Sequence, residues 1–281
     1  MLRDITLGQY YQTDSVIHRL DPRVKLTATM AFIISLFLVK NIWGYLIAAL
    51  FLAAVIKMSN VPFKFMIRGM KAIVFLLLLT VAFNLFFTPG EPLVQIWKLT
   101  ITKEGATFAG LMAVRLTFLI IGSSVMTLTT TPNNLTDGME SLMKPLGKIK
   151  VPVHEIAMMM SIALRFIPIL LEETDKIMKA QIARGADFES GNIIKKAKAM
   201  VPLLVPLFIS AFRRANDLAM AMEARCYRGG DGRTKMKPLV YKKADRVGYV
   251  ILALYLILCL SVGKIVQILF GIILGIMMSV G

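Results

Sequence analysis

Histidine and cysteine are scarce in this 281-residue sequence, which contains two of each. Cys226 follows an arginine in a polar stretch and Cys259 lies in an apolar run, and the pair forms no metal or redox motif. His154-Glu155 has no second histidine at metal-ligand spacing, which argues against a zinc site. The sequence offers no credible Ser/His/Asp or Cys/His set, so we expect no catalytic residue, no metal site and no enzyme.

A nucleotide-binding loop is also missing from the sequence. The glycine-rich stretch at 229–233 lacks the Gly-Lys-Ser/Thr ending of a phosphate-binding loop, and no strand pattern precedes it. We therefore expect that this chain binds neither ATP nor any other cofactor by itself.

Acidic residues are few, with 17 Asp+Glu against 33 Lys+Arg and a net charge of +16. Charged residues make up 18% of the chain and hydrophobic residues 57%, whereas a soluble domain has roughly 25% charged residues. This composition excludes a disordered chain and an ordinary soluble domain. The basic charge alone would suit a nucleic-acid binder, but the apolar runs indicate a membrane protein instead.

Five stretches of the chain contain at most one charged residue and predict at least five membrane helices. The shorter runs lie below the ~20 residues that cross a bilayer comfortably, but flanking lysines can extend them to the headgroups. The last run fits either one helix with a tail or two short helices split at Gly263-Lys264. The runs are Leu26–Val39, Asn41–Ile56, Ala72–Thr88, Ala106–Asn134 and Val247–Gly281.

Lysine and arginine alternate between rich and poor connecting segments, which predicts the orientation in the membrane. The N-terminal segment and the link between the second and third runs are basic, whereas the turn after the first run has only Lys40. The N-terminus is therefore predicted to be cytoplasmic. We divide the chain into 1–131 (N-terminal segment and four membrane helices), 132–245 (cytoplasmic) and 246–281 (C-terminal membrane segment).

The segment 132–245 shows helical periodicity throughout and no alternating strand pattern. Three helices are predicted, from Pro132 to about Gly147, from Pro152 to Arg184 and from Asn192 to about Tyr227. Prolines inside the two longer helices are expected to bend them; these are Pro168, Pro202 and Pro206. The predicted fold class is thus an all-α polytopic membrane protein with a cytoplasmic domain of long, proline-bent helices.

The two long helices end alike, 41 residues apart, on Ala-Arg followed by a small residue. An arginine there could simply complement the helix dipole, which is worth ~0.3–1 kcal/mol. Two matched ends favour a second interpretation, in which each end inserts into a cleft on a partner, where the planar guanidinium can bind carboxylates and carbonyls. The two ends are Ala183-Arg184-Gly185 and Ala224-Arg225-Cys226.

With these ends, the N-terminal stretch Ser15–Lys25 and the layout of the spans, the chain resembles the transmembrane T component of energy-coupling factor (ECF) transporters. That family includes cobalt-transport permeases of the CbiQ type. Cys226 departs from the glycine often found at its position, although the residue remains small.

The resemblance implies a non-catalytic subunit in the cytoplasmic membrane of a bacterium. It implies that two ABC-type ATPases, which bind ATP and Mg, dock on the two Ala-Arg ends, and that a separate membrane-embedded S component captures the substrate. A pliable methionine surface would face the S component, unless these residues are ordinary core. The residues are Met158, Met159, Met160, Met200, Met220 and Met222. Vitamins are the expected substrate class, with cobalt or nickel ions as the alternative, and no nucleic acid is expected as a partner.

Some polar residues have a structural and a functional interpretation. Arg115 lies within a predicted span and is a functional candidate by default, with Asn84 as a possible partner. Asp21-Pro22 indicates a turn or a helix start, and the resemblance implies that this segment with Arg23 packs between the N-terminus and the long helices. A stand-alone secondary transporter or channel is the rival function, but no predicted span contains the carboxylate that such carriers usually need.

Overall fold

A computed structural model describes residues 10–39, 41–66, 73–96, 99–188, 192–230, 235–236 and 238–280, of which 92–96, 99–101, 193 and 263–280 are described by their backbone alone. The chain divides into two compact units. We call Gly8–Gly138 with Leu239–Gly281 the membrane unit, and Met139–Pro238 the helix-pair unit.

The described elements are, in chain order, α1 (Val16–Arg19), α2 (Pro22–Leu38), α3 (Ile42–Ser59), α4 (Val74–Phe87), β1 (Pro92–Ile96), β2 (Leu99–Thr102), α5 (Lys103–Thr129), α6 (Pro132–Met143), a 3₁₀ helix (Lys144–Ile149), α7 (Val153–Ala183), α8 (Ile193–Ala224) and α9 (Lys243–Val280). The all-α fold class is confirmed, and the three helices predicted after residue 131 begin and end within a few residues of the observed bounds. The domain boundaries at 131/132 and 245/246 stay predictions.

The predicted helix start at Asp21-Pro22 is observed at the beginning of α2. The Asp21 side chain accepts the backbone N–H of Arg23, and Pro22 occupies the first turn, where its missing N–H has no consequence. The turn between α2 and α3 is tight because position 44 is glycine. A Cβ added to Gly44 would lie 2.5 Å from Cγ1 of Val39.

A short antiparallel hairpin lies between the third and fourth of the charge-poor runs. Gln95 pairs with Thr100 and Ile96 with Leu99, and this is the one strand pair in the described part of the chain. Thr102 joins the hairpin to both neighbouring helices, since its hydroxyl donates to the Thr88 carbonyl (2.8 Å) and accepts the N–H of Gly105 (3.0 Å).

The C-terminal segment forms one continuous helix, α9, whose backbone is helical through Gly263-Lys264. The structure therefore favours one helix over the two short helices that the sequence left possible. Its 38 residues reach about 57 Å at 1.5 Å per residue, which exceeds the ~30 Å of a bilayer core.

Within the part of the chain that the structure describes, four helices are long and apolar enough to cross a membrane, judged by length and composition: α3, α5, α7 and the Lys243–Val262 part of α9. The apolar helix α4 is shorter, at 14 residues, and α2 has 17 residues. Length and composition thus do not distinguish α7 from a membrane span, although the charge pattern predicts a cytoplasmic location for it.

Helices α2 and α5 pack antiparallel in a regular register. Lys25 Nζ donates to the carbonyl of Thr129 (2.8 Å). One heptad along, the Phe32 ring covers Gly122, where an added Cβ would lie 2.8 Å from the ring. A heptad further, Arg115 lies beside the Val39 carbonyl (3.4 Å).

The buried core of the membrane unit lies between α2, α3, α5 and α9. The Tyr255 ring stacks on Phe51 at 4.3 Å between centroids, and its hydroxyl lies 2.7 Å from the hydroxyl of Ser35. The buried side chains at the centre of this cluster are Phe32, Leu36, Tyr45, Ala48, Leu52, Val125 and Leu128.

Candidate functional site

Helix α7 ends in a hydrogen-bonded turn that fixes the backbone around Arg184. The N–H of Gly185 donates to the carbonyl of Ile182 (2.9 Å) and the N–H of Ala186 to that of Gln181 (3.0 Å). Gly185 has φ +88°, the left-handed conformation that glycine adopts readily. These two bonds define a Schellman motif, which satisfies the last carbonyls of the helix.

Helix α8 ends in the same motif around Arg225. The N–H of Cys226 donates to the carbonyl of Glu223 (2.8 Å) and the N–H of Tyr227 to that of Met222 (3.0 Å). Cys226 takes the left-handed position with φ +55°, which is costly for a residue with a Cβ. The matched Ala-Arg ends predicted from sequence therefore share one backbone structure. All six residues, Ala183, Arg184, Gly185, Ala224, Arg225 and Cys226, are exposed.

Helices α7 and α8 pack antiparallel. The Gln181 amide contacts the carbonyl of Pro202 (3.4 Å). Eight residues earlier in α7, Glu173 accepts hydrogen bonds from Ser210 (2.8 Å) and Arg214 (2.6 Å), further along α8. The two arginine ends therefore point in opposite directions along the pair. The sequence analysis did not single out Glu173 as an interhelical contact.

The Glu173–Arg214 contact lies equally far from both ends. Arg184 follows Glu173 by 11 residues, and Arg225 follows Arg214 by 11 residues. At 1.5 Å per residue the two ends are about 33 Å apart along the helix axes. Pro168, Pro202 and Pro206 lie inside their helices as predicted, but all of them lie outside these two stretches.

Large apolar side chains are exposed along one stripe of α8. Val201, Val205, Phe208 and Phe212 recur at helical spacing and are 51–68% exposed. Of the six methionines predicted to face a partner, Met159, Met160, Met200 and Met220 are exposed and Met158 and Met222 are half-buried, and their facing the S component stays a prediction. The recurrence of large apolar residues every three or four positions is the sequence signal that could have identified this stripe. The sequence analysis instead selected methionines because they are abundant in the composition.

Buried polar contacts join the N-terminal segment of the membrane unit to the start of α9. Asp245 is 1% exposed and accepts the backbone N–H groups of Asp21 (2.8 Å) and Lys242 (2.6 Å). Arg23 forms an ion pair with Asp21 (2.8 Å) and stacks on the Tyr241 ring, 3.7 Å from its centroid. Burial opposes ionisation of Asp21, but the hydrogen bonds from Arg23 outweigh it and lower the pKa of the carboxyl.

Lys25 extends these contacts to the end of α5. Its buried ammonium donates to the carbonyls of His18 (3.1 Å) and Thr129 (2.8 Å). Thr129 is the last residue of α5, and Lys242 immediately precedes α9. The N-terminal segment therefore contacts both the end of α5 and the start of α9, and packing of Asp21, Pro22 and Arg23 occurs within the membrane unit.

Arg115 does not pair with Asn84. Its guanidinium donates to the hydroxyl of Tyr45 (2.8 Å), while the Asn84 amide donates to the Thr80 carbonyl of its own helix (2.8 Å). The guanidinium of Arg115 also lies 3.4 Å from the carbonyl oxygen of Val39, at the end of α2. The expected partnership is wrong because the tight turn brings a carbonyl and a phenol closer than α4 brings its amide.

A polar cluster in the helix-pair unit joins α6, α7 and the segment after α8. Glu140 accepts a hydrogen bond from Lys235, and its other oxygen lies 3.0 Å from Nδ1 of His154. Burial opposes ionisation of Glu140, but these two partners outweigh it and lower the pKa of its carboxyl. Among the described residues, no group of three or more His, Cys, Asp and Glu side chains is arranged to hold a metal ion.

Comparisons with known proteins agree with this arrangement. The family model of the cobalt transport protein CbiQ matches residues 13–236. The energy-coupling factor transporter transmembrane protein EcfT of Clostridium kluyveri is 56% identical over 264 residues, covering 93% of this chain and 97% of the relative. The proteins of the same name from Thermosediminibacter oceani and Bacillus subtilis are 53% identical (95% and 98% covered) and 48% identical (87% and 93% covered).

The fold and these matches define a polytopic membrane subunit of a transporter. More particularly, the chain belongs to the CbiQ family, as a transmembrane component of an energy-coupling factor transporter. The resemblance inferred from the N-terminal stretch, the matched helix ends and the layout is confirmed. The expected role as the transmembrane component of an energy-coupling factor transporter holds at this level.

Proposed function

We propose that this subunit links two cytoplasmic ATPases to a membrane-embedded S component, with Arg184 docking in one ATPase and Arg225 in the other. One observation carries the proposal. Two exposed arginines occupy the same capped helix end at opposite ends of one antiparallel pair. A guanidinium at such an end can reach carboxylates and carbonyls in a cleft, because the capped backbone holds it outward.

The test replaces each arginine by a residue of opposite charge. Arg184→Glu and Arg225→Glu should each abolish transport and reduce copurification of the ATPases, while membrane insertion is unchanged. Arg213→Glu is the matched control, because Arg213 is exposed on α8 but lies well before the helix end. Full ATPase binding by both variants, or the absence of ATPases from the natively purified protein, would contradict the proposal.

The S component is proposed to bind the exposed apolar stripe of α8 and the neighbouring methionines. The exposed fractions of Val201, Val205, Phe208 and Phe212 support this partner, since such a continuous apolar stripe needs cover from protein or lipid. Methionine side chains would adapt the surface to several S components.

We propose vitamins as the transported substrates, with cobalt or nickel ions as the alternative that the family name raises. Copurified S components should bind a vitamin, and uptake of that labelled vitamin should require this subunit. Uptake of Co²⁺ or Ni²⁺ that depends on the subunit, without any vitamin uptake, would reverse the assignment. Substrate uptake by the purified chain alone in proteoliposomes would favour a stand-alone transporter.

We propose that the N-terminus and the helix-pair unit are cytoplasmic, as the lysine and arginine distribution indicates. The chain supplies its own probe, because Cys226 is exposed in the helix-pair unit whereas Cys259 is buried. A membrane-impermeant maleimide should label Cys226 in inside-out vesicles of cells that make the T component alone, and not in intact spheroplasts. Labelling in spheroplasts would reverse the orientation.

A further inference from the structure

The membrane unit contains a partly open apolar cavity of about 300 Å³ between α1, α2, α3, α5 and α9. Carbon atoms form nearly all of its surface, including those of Ala28, Phe32, Val55 and Val125. Two glycines, Gly122 and Gly248, also line it. The cavity is therefore not a site for a polar solute.

A cavity of this size is too large to remain empty without cost and too apolar to hold ordered water. An apolar cavity of about 150 Å³ already binds a small hydrocarbon, and a water needs two to four polar partners. At ~30 Å³ for each water-sized group, the volume equals about ten such groups, which matches much of one acyl chain of a phospholipid.

The position of the cavity places it within one leaflet of the bilayer. Its lining on α2 runs from Val24 to Phe32, and on α5 from Thr129 to Gly122. Lys25 and Phe32 are seven positions apart, as are Thr129 and Gly122, which is a rise of about 10 Å along the helix against a leaflet core of about 15 Å. Lys25 and Thr129 mark the end at the membrane surface, and Phe32 and Gly122 mark the deep end.

Exposed lysines lie at the surface end of the cavity. On α9 the cavity is lined by Val247 and Ile251, and Lys243 precedes Val247 by one turn on the same helix face. Lys57 precedes Met58, which lines the cavity at the end of α3. Cationic side chains at this level attract the phosphate of a lipid headgroup.

We propose that the cavity binds an anionic phospholipid, with one acyl chain between α2, α3, α5 and α9 and the phosphate near Lys243. This lipid fills the space at the end of the membrane unit where Asp245 and Lys25 hold the chain. The site is independent of the docking proposed for Arg184 and Arg225.

The first test fills the cavity and counts retained lipid. Full-length protein is washed with delipidating detergent, and native mass spectrometry measures the phospholipid that remains bound. Wild type should retain one phospholipid per chain and Ala28→Leu should lose most of it. Ala53→Leu is the matched control, because it makes the same change on the exposed surface of α3 and should retain the lipid. Equal retention by all three proteins, or none by wild type, overturns the proposal.

The second test needs no cavity variant and therefore does not depend on folding of Ala28→Leu. Wild type is reconstituted in vesicles that contain phosphatidylglycerol with a diazirine midway along one acyl chain. Excess unlabelled phosphatidylglycerol should reduce the adducts on cavity-lining peptides, whereas the same amount of zwitterionic phosphatidylcholine should reduce them much less, and Lys243→Gln should also reduce them. Two results contradict the proposal: adducts that both lipids reduce equally, as expected for exposed residues such as Ile34 and Leu50, and adducts that Lys243→Gln does not change.

Discussion

The two units of the chain differ in how far their apolar side chains are buried. The membrane unit buries large residues between four helices and closes its surface end with buried hydrogen bonds to Asp245 and Lys25. In the helix-pair unit, among the residues that the structure describes, only Val153, Ala157 and Leu203 are buried apolar side chains. Its other described large apolar residues are half-buried or exposed.

The difference indicates where each unit obtains its stability. The membrane unit has a core of its own, so its neighbours can be lipid. The helix-pair unit resembles half of an interface, because two antiparallel helices with a few polar contacts leave most of their apolar surface uncovered. Bound partners are therefore expected to contribute much of the order of the helix-pair unit and little of that of the membrane unit.

The largest effect should separate two phenylalanines, one in each unit. Phe32→Ala removes a ring that packs on Gly122 and should cost about 3 kcal/mol, while Phe208→Ala changes an exposed ring and should stay within about 0.5 kcal/mol. Labelling of buried Cys259 by a thiol-reactive dye during heating measures opening of the membrane unit in a Cys226→Ser background.

Binding should show the reverse order for the same two variants. Phe208→Ala should weaken S-component copurification, and Phe32→Ala should affect it only through lost folded protein. A stability loss for Phe208→Ala as large as that for Phe32→Ala would remove the contrast between the units.

Asp245→Asn should be the next largest change. An asparagine turns a donor group toward the backbone N–H of Asp21 or Lys242, so one buried N–H loses its partner at a cost of about 2 kcal/mol. Cys259 labelling should shift to lower temperature. Asp217→Asn, on the exposed surface of α8, is the control and should not change the temperature at which Cys259 becomes labelled.

Cys226→Gly should stabilise the helix-pair unit by about 1 kcal/mol, because glycine adopts the left-handed conformation at that position without strain. Hydrogen exchange of the last turn of α8 should slow, and ATPase docking should persist. A β-branched residue, as in Cys226→Val, should accelerate the exchange. Faster exchange in Cys226→Gly would show that the thiol itself stabilises the turn.

The smallest effect should come from Glu140, whose partners are partly exposed. The pKa of Glu140 is lowered in the folded protein, so its contribution is complete above its ordinary value of about 4.5 and is lost as the pH falls below it. The free energy of unfolding of residues 139–238 should therefore fall as the pH falls below about 4.5, and Glu140→Gln should make this fall smaller by less than about 1 kcal/mol. Circular dichroism against pH measures it, with exposed Glu172→Gln as control, which should leave the profile unchanged.

The sequence was most informative where one physical pattern dominates. Runs with almost no charge predicted the helices of the membrane unit. The small residue after each Ala-Arg pointed to the two similar helix ends, because the left-handed position after a helix favours glycine over residues with a Cβ. Contacts between distant residues were harder, because no local pattern encodes them. Arg115 therefore received the wrong partner, and neither the Glu173–Arg214 contact nor the hairpin at 92–102 was predicted.

The equal spacing of Arg184 and Arg225 from the Glu173–Arg214 contact has a mechanical consequence. Each end lies 11 residues from this contact, and neither stretch contains a proline that would bend it. Equal transverse forces on the two ends would add as torque about the contact if they point in opposite directions, and would shift the pair without turning it if they point in the same direction. If ATPases dock at Arg184 and Arg225 as proposed, opposed transverse movements of the two ATPases would therefore rotate the helix pair.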